Sequence, residues 1–188
     1  MTVRVAIILA GGLGTRLRGT VPGLPKPMAP IRNRPFLEHQ MDYWIKQGIN
    51  RFILSVGYLK DIIIEHFGNT YKGIPIEYAI EHEPLGTGGG LLLAEKGLTE
   101  AFLVLNGDTF IEVDLDNLYE FHLECRSDWT FSLFRTSQFG RYMSIDVSPN
   151  GEILSLKSDL KKSSGLANGG VYIINPKVLS SLGYKTGD

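Results

Sequence analysis

The sequence has little of what would set it apart from ordinary globular proteins. It has a single cysteine, Cys125, in 188 residues, which excludes an internal disulfide and fits a reducing compartment. Neither sign of charge is in excess, because 20 acidic residues balance 19 basic ones. Without a general positive field to attract nucleic acid, we expect no nucleic-acid partner. An anionic ligand would have to meet cations gathered at one place.

Long apolar runs are also missing, and none approaches the roughly 20 residues of a membrane-spanning helix. The apolar run at residues 3–10 continues into a glycine-rich segment, without the small-residue cleavage pattern of a signal peptide. This run predicts a buried first strand. We therefore expect a soluble cytoplasmic protein without a membrane partner.

Apolar runs alternate with stretches of helical periodicity along the rest of the chain. Unbroken apolar strands separated by helices are typical of a mostly parallel sheet that is covered on both faces. The sequence therefore predicts an α/β fold, Rossmann-like and three-layer α/β/α, with a small antiparallel hairpin around the turn signal at residues 148–151. Strands are predicted at residues 3–10, 52–56, 74–80, 101–105, 129–135, 143–147, 152–157 and 171–174, and helices at 36–45, 62–67, 87–97 and 115–125.

The segment after the first predicted strand contains Gly11, Gly12 and Gly14. Glycines allow backbone N–H groups to turn toward a phosphate. The dinucleotide-binding fingerprint is not matched, because Leu17 stands where its third glycine belongs, and the P-loop pattern is absent. This argues against a nicotinamide or flavin enzyme. A tight turn between a strand and a helix, without a ligand, is the alternative.

Cations follow the glycines: Arg16 and Arg18, and then Lys26 between two prolines. Arginine offers a planar fork to phosphate oxygens, and the prolines limit the conformational freedom of the lysine. Asp108 follows the predicted strand at residues 101–105 and is a candidate ligand for Mg²⁺, the alternative being a turn-forming aspartate. Ligands of open parallel sheets lie beyond the carboxyl ends of the strands, so we expect these segments to share one site.

Five segments together resemble the signature of the sugar-1-phosphate nucleotidyltransferase family. They read GGLGTRL, PKPM, EPLGTGG, NGD and NGGVY, at residues 11–17, 25–28, 83–89, 106–108 and 168–172. The resemblance covers nearly the whole chain and implies the nucleotide-diphospho-sugar transferase type of fold, in one nucleotidyltransferase domain over residues 1–188. Because relatives continue past the position of Asp188, truncation at this end stays open.

The resemblance implies an enzyme that joins a nucleoside triphosphate to a sugar 1-phosphate and releases pyrophosphate, with Mg²⁺ as cofactor. It implies catalytic roles for Arg16, Lys26 and Asp108, the last also as metal ligand. The residues that it implies for nucleotide binding are Leu9, Ala10, Gly11, Gly12, Gly14, Thr15, Arg16, Lys26, Glu81, Pro84, Gly86 and Thr87. Those that it implies for sugar binding are Asn106, Gly107, Asn168, Gly169 and Gly170. A general base is not needed, because a phosphate monoester is already mostly a dianion at pH 7.

Glu81 and Glu83 bear on the choice of base. A carboxylate only accepts hydrogen bonds, and guanine presents adjacent N1–H and N2–H donors. Uracil and thymine place one N–H between two carbonyls, which a carboxylate would repel. GTP is therefore favoured, while cytosine, and a solvated role for both glutamates, stay open. Within the family, the motifs are most similar to those of the branch that uses D-glycero-α-D-manno-heptose 1-phosphate.

Two features of the family have no clear counterpart here. Relatives often carry a Glu-Lys pair after the hairpin, whereas this chain offers only Lys157, Lys161 or Lys162 to the sugar phosphate. A second metal carboxylate near the C-terminal end cannot be placed. The alternatives are mannose-1-phosphate guanylyltransferase, another sugar-1-phosphate uridylyl-, thymidylyl- or cytidylyltransferase, or a non-catalytic nucleotide-binding regulatory module. A homo-oligomer is compatible with all of them.

Overall fold

The structure of the protein is a computed structural model that describes residues 2–12, 23–137, 144–157, 165–176 and 178–181. Its strands are β1 (Val5–Leu9), β2 (Pro30–Ile31), β3 (Arg34–Pro35), β4 (Arg51–Val56), β5 (Thr70–Tyr71), β6 (Ile74–Ile80), β7 (Phe102–Asn106), β8 (Trp129–Thr136), β9 (Ser144–Val147), β10 (Ile153–Lys157) and β11 (Gly165–Ile174). Its helices are α1 (Phe36–Lys46), α2 (Lys60–Phe67), α3 (Gly86–Ala94), α4 (Leu115–Glu124) and α5 (Val178–Ser181), and Lys26–Met28 form a 3₁₀ turn.

Four parallel strands form the centre of the sheet, in the order β7-β1-β4-β6. Ile7 and Ile8 follow each other in β1, so they point to opposite faces of the sheet, and both are fully buried. Helices α1, α2 and α4 contribute to the core that contains Ile8, and α3 and α5 to the core that contains Ile7. The predicted three-layer α/β/α fold is therefore confirmed.

The antiparallel part of the sheet is larger than the predicted hairpin. Strands β9 and β10 form that hairpin, and Gly151 in its turn has a left-handed φ of +86°. In addition, β11 runs antiparallel to β7, β8 and β9. The apolar runs predicted β8 and the second half of β11 as strands, but such a run carries no information about strand direction.

An ion-pair network fixes the segment between the 3₁₀ turn and α1. Arg34 in β3 donates to Glu38 at 2.7 Å and to Asp42 at 2.9 Å, both in α1. Lys72, which follows β5, pairs with Asp42 at 2.6 Å. Burial by itself would raise the pKa of Asp42, but hydrogen bonds from Lys72 and Arg34 lower that pKa to about 2. The network therefore ties β3 and β5 to one face of α1.

The residues that the structure describes include no helix with both the length and the apolar character needed to cross a membrane.

The end of β7 lies directly against the end of β1. Leu9 and Asn106 are register partners, and the N–H of Gly107 donates to the carbonyl oxygen of Leu9 at 3.0 Å. A Cβ at Gly107 would lie 2.6 Å from this oxygen and 3.3 Å from Cα of Ala10. Both are backbone atoms held in the sheet, so the close approach of the two strand ends requires glycine at this position.

We expect Gly107→Ala to lower the free energy of unfolding by about 1–3 kcal/mol, because the added methyl group meets backbone that cannot withdraw. Urea unfolding followed by circular dichroism measures the change. Gly12→Ala is the matched control, since a Cβ at Gly12 meets nothing within 4 Å among the described residues. A Gly107→Ala variant as stable as the control would contradict this account of the strand junction.

Candidate active site

A cavity of about 570 Å³ opens at the carboxyl ends of the parallel strands. Its volume is in the range of pockets that bind small molecules. Strand β1 is the point at which the strand order changes direction, because β4 lies on one side of it and β7 on the other. The described residues that line the cavity are Leu9, Gly11, Gly12, Ser55, Glu81, Pro84, Gly86, Thr87, Gly90, Asn106 and Asp108.

An ion pair adjoins the cavity through Asp108, which lines it, whereas its partner Lys26 is not among the lining residues. Nζ of Lys26 donates to Oδ2 of Asp108, and about a third of each side chain is exposed, at 32% and 36%. The lysine is held by its 3₁₀ turn, in which the N–H of Met28 donates to the carbonyl of Pro25 at 2.8 Å and the side chain of Met28 is buried. The stiff segment between prolines thus presents its cation directly to the predicted metal ligand.

A fixed carboxylate forms another part of the cavity wall. Oε1 of Glu81 accepts from the hydroxyl of Ser55 at 3.0 Å, and Oε2 accepts from the N–H of Leu85 at 3.2 Å. The backbone N–H of Glu81 donates to the carbonyl of Val56 at 2.8 Å, and this bond continues the pairing of β6 with β4. These contacts fix the plane of the carboxylate but leave each oxygen able to accept a further hydrogen bond.

Two glycines leave room for this carboxylate. A Cβ at Gly90 in α3 would lie 2.8 Å from Oε1 of Glu81 and 2.9 Å from Oγ of Ser55, and a Cβ at Gly11 would overlap the same Oε1. Gly11 was predicted to let backbone N–H groups turn toward a phosphate. In the structure, the absence of its side chain also lets Glu81 lie against the backbone after β1.

The segment predicted to bind sugar lies next to Asn106. Asn168 pairs with Leu133 of β8 and Tyr172 pairs with Phe131, so β11 has two more residues than β8 between these pairings. The extra residues form a bulge in β11, and Gly170 in this bulge has a φ of +75°. Asn168 donates to the hydroxyl of Tyr172 at 2.7 Å and accepts from the N–H of Gly170 at 2.8 Å. A Cβ at Gly170 would lie 2.8 Å from the amide nitrogen of Asn106.

The hydroxyl of Tyr172 connects this bulge to the cavity wall, because it also interacts with the side chain of Asn106. Burial raises the pKa of Tyr172, and the charge of Asp108 raises it further, so the hydroxyl keeps its proton at neutral pH. Tyr172 was not predicted as a site residue, although it is the last residue of the NGGVY motif. A tyrosine that alternates with apolar residues in a strand is usually a core residue.

The structure brings together most of the predicted residues that it describes. Ala10 and Gly107 are buried behind the cavity wall, Asn168 is exposed, and Gly169 and Gly170 are buried in the bulge. Glu83 is exposed and does not line the cavity, so Glu81 is the glutamate in place to contact a ligand there. The predicted residues Gly14, Thr15, Arg16, Lys161 and Lys162, and the side chain of Lys157, lie outside the described part of the chain.

Ser55 and Gly90 line the cavity but were not predicted. Ser55 is 1% exposed and carries the one hydroxyl in the apolar run of β4. A single polar residue in a buried strand could have indicated a site residue. Gly90 belongs to a run of three glycines that would weaken an ordinary helix. Its position in α3 is explained by the close approach of Glu81.

A family model described as nucleotidyl transferase matches residues 5–187. The chain belongs to the nucleotidyl transferase family. The predicted family and the predicted enzyme class are therefore confirmed.

Among similar proteins, a D-glycero-alpha-D-manno-heptose 1-phosphate guanylyltransferase from Aneurinibacillus thermoaerophilus is 46% identical over 174 residues, which cover 92% of this chain and 75% of the relative. A protein of the same name from Campylobacter jejuni is 42% identical, with coverages of 93% and 77%. The crystal structure of HddC from Yersinia pseudotuberculosis complexed with GMP-PN matches at 36% identity with a TM-score of 0.82, and covers 95% of this chain and 79% of that one.

Proposed function

We propose that the protein transfers a guanylyl group from GTP to D-glycero-α-D-manno-heptose 1-phosphate and releases pyrophosphate. The observation that carries this proposal is one cavity that is lined by a fixed carboxylate, Glu81, and by Asp108, whose carboxylate is paired with Lys26. The heptose is supported by the names of the two relatives that are 46% and 42% identical.

The carboxylate of Glu81 suits guanine because it only accepts hydrogen bonds. Ser55 and Leu85 fix its orientation from the protein side. The N1–H and N2–H donors of guanine can use the remaining acceptor capacity of its two oxygens. The complex of HddC with GMP-PN, a guanine nucleotide by its name, supports this choice of base.

Lys26 is the residue that we assign to the phosphates. Its ammonium group has three donors, and the contact with Asp108 uses one of them. The donors that have no partner among the described residues can bind the α-phosphate and the attacking phosphate, two anions that repel each other. An oxygen of the sugar phosphate attacks the α-phosphorus, and the bond to the β-phosphate breaks as pyrophosphate leaves. Positioning and charge neutralisation are the protein's contribution to such a step.

Asp108 is the residue that would hold Mg²⁺. Its partly exposed carboxylate lies at the wall of the cavity, and this ion commonly takes one or two carboxylates together with phosphate oxygens and water. Among the described residues, no group of three or more His, Cys, Asp or Glu side chains forms a cage for a metal, so substrate oxygens would complete the site. The ion would supply positive charge to the phosphate oxygens.

For the sugar we propose the bulge of β11 and its neighbour Asn106. Asn168 and Tyr172 provide an amide and a hydroxyl that already bond to each other, and such groups suit the hydroxyls of a sugar. Arg16 stays a proposed ligand of the departing pyrophosphate. The cytoplasmic location and a homo-oligomeric state stay predictions.

A matrix of nucleoside triphosphates and sugar 1-phosphates tests the function. GTP, ATP, UTP, CTP and dTTP are each combined with the 1-phosphates of D-glycero-α-D-manno-heptose, mannose and glucose, and pyrophosphate release is measured with Mg²⁺ present. We expect the highest kcat/KM for GTP with the heptose 1-phosphate. A preference for UTP or dTTP would contradict the assignment of Glu81, and tight GTP binding without product for every sugar would indicate a regulatory module instead.

We further expect Glu81→Gln to raise the KM for GTP by about 10- to 100-fold, because the neutral amide offers guanine one acceptor fewer and no negative charge. The protein should still fold, since the amide group can donate to Ser55 and accept from Leu85. Glu83→Gln is the matched control, with the same chemical change at an exposed residue outside the cavity lining. Equal effects of the two substitutions on the KM for GTP would show that Glu81 does not read the base.

A further inference from the structure

The turn that carries Asp108, at residues 106–109, is held by the buried side-chain amide of Gln40. Gln40 in α1 is 2% exposed. Its Nε2 donates to the carbonyl oxygen of Asn106 at 2.9 Å and to that of Thr109 at 3.1 Å. These two carbonyls stand on either side of Gly107 and Asp108. A single side chain therefore closes the turn around the predicted metal ligand.

The orientation of this amide follows from its surroundings. Two carbonyl oxygens converge on one end of the side chain, and only the NH₂ group can donate to them. Its oxygen, Oε1, is buried and has no hydrogen-bond partner among the described residues. An unpaired buried acceptor costs free energy, which an apolar side chain at position 40 would avoid. The two hydrogen bonds from its NH₂ group to the carbonyls of Asn106 and Thr109 explain why a glutamine occupies this position.

The opposite side of the turn is fixed as well. The N–H of Gly107 donates to the carbonyl of Leu9, as described above, and no side chain fits at position 107. The turn therefore lies between β1 on one side and α1 on the other. A loss of the Gln40 bonds removes the support of the turn on the side of α1, so that the turn, including its bond to β1, opens more often.

The same helix also holds the segment of Lys26. The N–H of Phe36, the first residue of α1, donates at 2.9 Å to the carbonyl of Ala29, which directly follows the 3₁₀ turn. Gln40 follows Phe36 by about one helical turn. Helix α1 thus contacts the segments of both members of the ion pair and sets the distance between them.

We propose that Gln40 is a positioning residue, which holds the turn at residues 106–109 so that Asp108 faces Lys26 and the phosphates that enter the cavity. This inference rests on the proposed function, because it assigns a purpose to the position of Asp108. Gln40 is buried and is not among the residues that line the cavity. It acts through the backbone of Asn106 and Thr109.

Gln40→Met tests the proposal, because methionine has a similar length but no N–H donor. The chain offers a close control in Gln47, two turns further along, whose Nε2 donates to the carbonyl of Val113 at 2.8 Å and whose Oε1 accepts from the N–H of Leu115 at 2.7 Å. Gln47→Met removes the same chemical group from the end of α1 without touching the turn of Asp108.

Hydrogen exchange followed by mass spectrometry is the first measurement, and it needs no substrate. Gln40→Met should raise the exchange of peptides that cover residues 106–109 by tenfold or more, and Gln47→Met should raise only that of peptides around residue 115. The second measurement is the Mg²⁺ dependence of pyrophosphate release. Gln40→Met should raise the half-saturating Mg²⁺ concentration about tenfold, with kcat at saturating Mg²⁺ within about threefold of wild type, and Gln47→Met should leave it unchanged.

Unchanged exchange at residues 106–109, or an equal shift of the Mg²⁺ dependence in both variants, would overturn the proposal. Gln40→Asn is the second variant should the methionine variant fail to fold, because its shorter side chain keeps an amide but draws it back from both carbonyls. If wild type releases no pyrophosphate with any substrate pair, the proposed function fails, and hydrogen exchange still decides whether Gln40 holds the turn.

Discussion

The parallel packing of β1 between β4 and β7 is the constraint on which the site depends. Parallel strands end at the same edge of a sheet, so the residues that follow them meet there whatever their separation in sequence. Gly11, Ser55 and Asp108 are brought to one cavity in this way. The requirement for glycine at position 107 follows from the same packing, because the ends of β1 and β7 leave no space for a side chain.

The cavity presents two kinds of chemical group to a ligand. Glu81 supplies acceptors whose orientation is fixed by Ser55 and Leu85, and this suits a base that presents adjacent donors. Asp108 and its partner Lys26 supply opposite charges, and this suits phosphates accompanied by a cation. Since the reaction brings two anions together, charge that is already in place before the substrates arrive is what the protein has to provide.

Sequence patterns were sufficient for the longer strands and helices and for most residues that line the cavity, whereas the short elements β2, β3, β5 and α5 were not predicted. Glycines, a lysine between prolines and an aspartate after an apolar strand each have a distinct local signal, and in the structure Gly11 and Asp108 line one cavity while Lys26 pairs with Asp108. The direction of β8 and β11 could not be predicted, because direction is set by pairing between strands that are distant in sequence. Apolar periodicity reports burial alone.

The supporting residues escaped sequence analysis for a related reason. Gln40 and Tyr172 lie in amphipathic or apolar stretches that are typical of core residues, and their importance comes from groups of another element, the carbonyl of Asn106 for Gln40 and the side chain of Asn106 for Tyr172. Ser55 is similar, since its partner Glu81 belongs to the loop after another strand. Contacts across elements decide the function of such residues, and a single sequence contains no record of those contacts.

The central claim is that the cation of Lys26, held beside Asp108, allows the two phosphates to meet. The most direct test is the kcat for pyrophosphate release by Lys26→Ala at saturating GTP, sugar 1-phosphate and Mg²⁺, with Lys60→Ala as control, because Lys60 also forms a partly exposed ion pair, but with Asp61 in α2. The account predicts a loss of about 10²- to 10³-fold for Lys26→Ala with an unchanged melting temperature, and wild-type turnover for the control. Wild-type turnover in Lys26→Ala would contradict it.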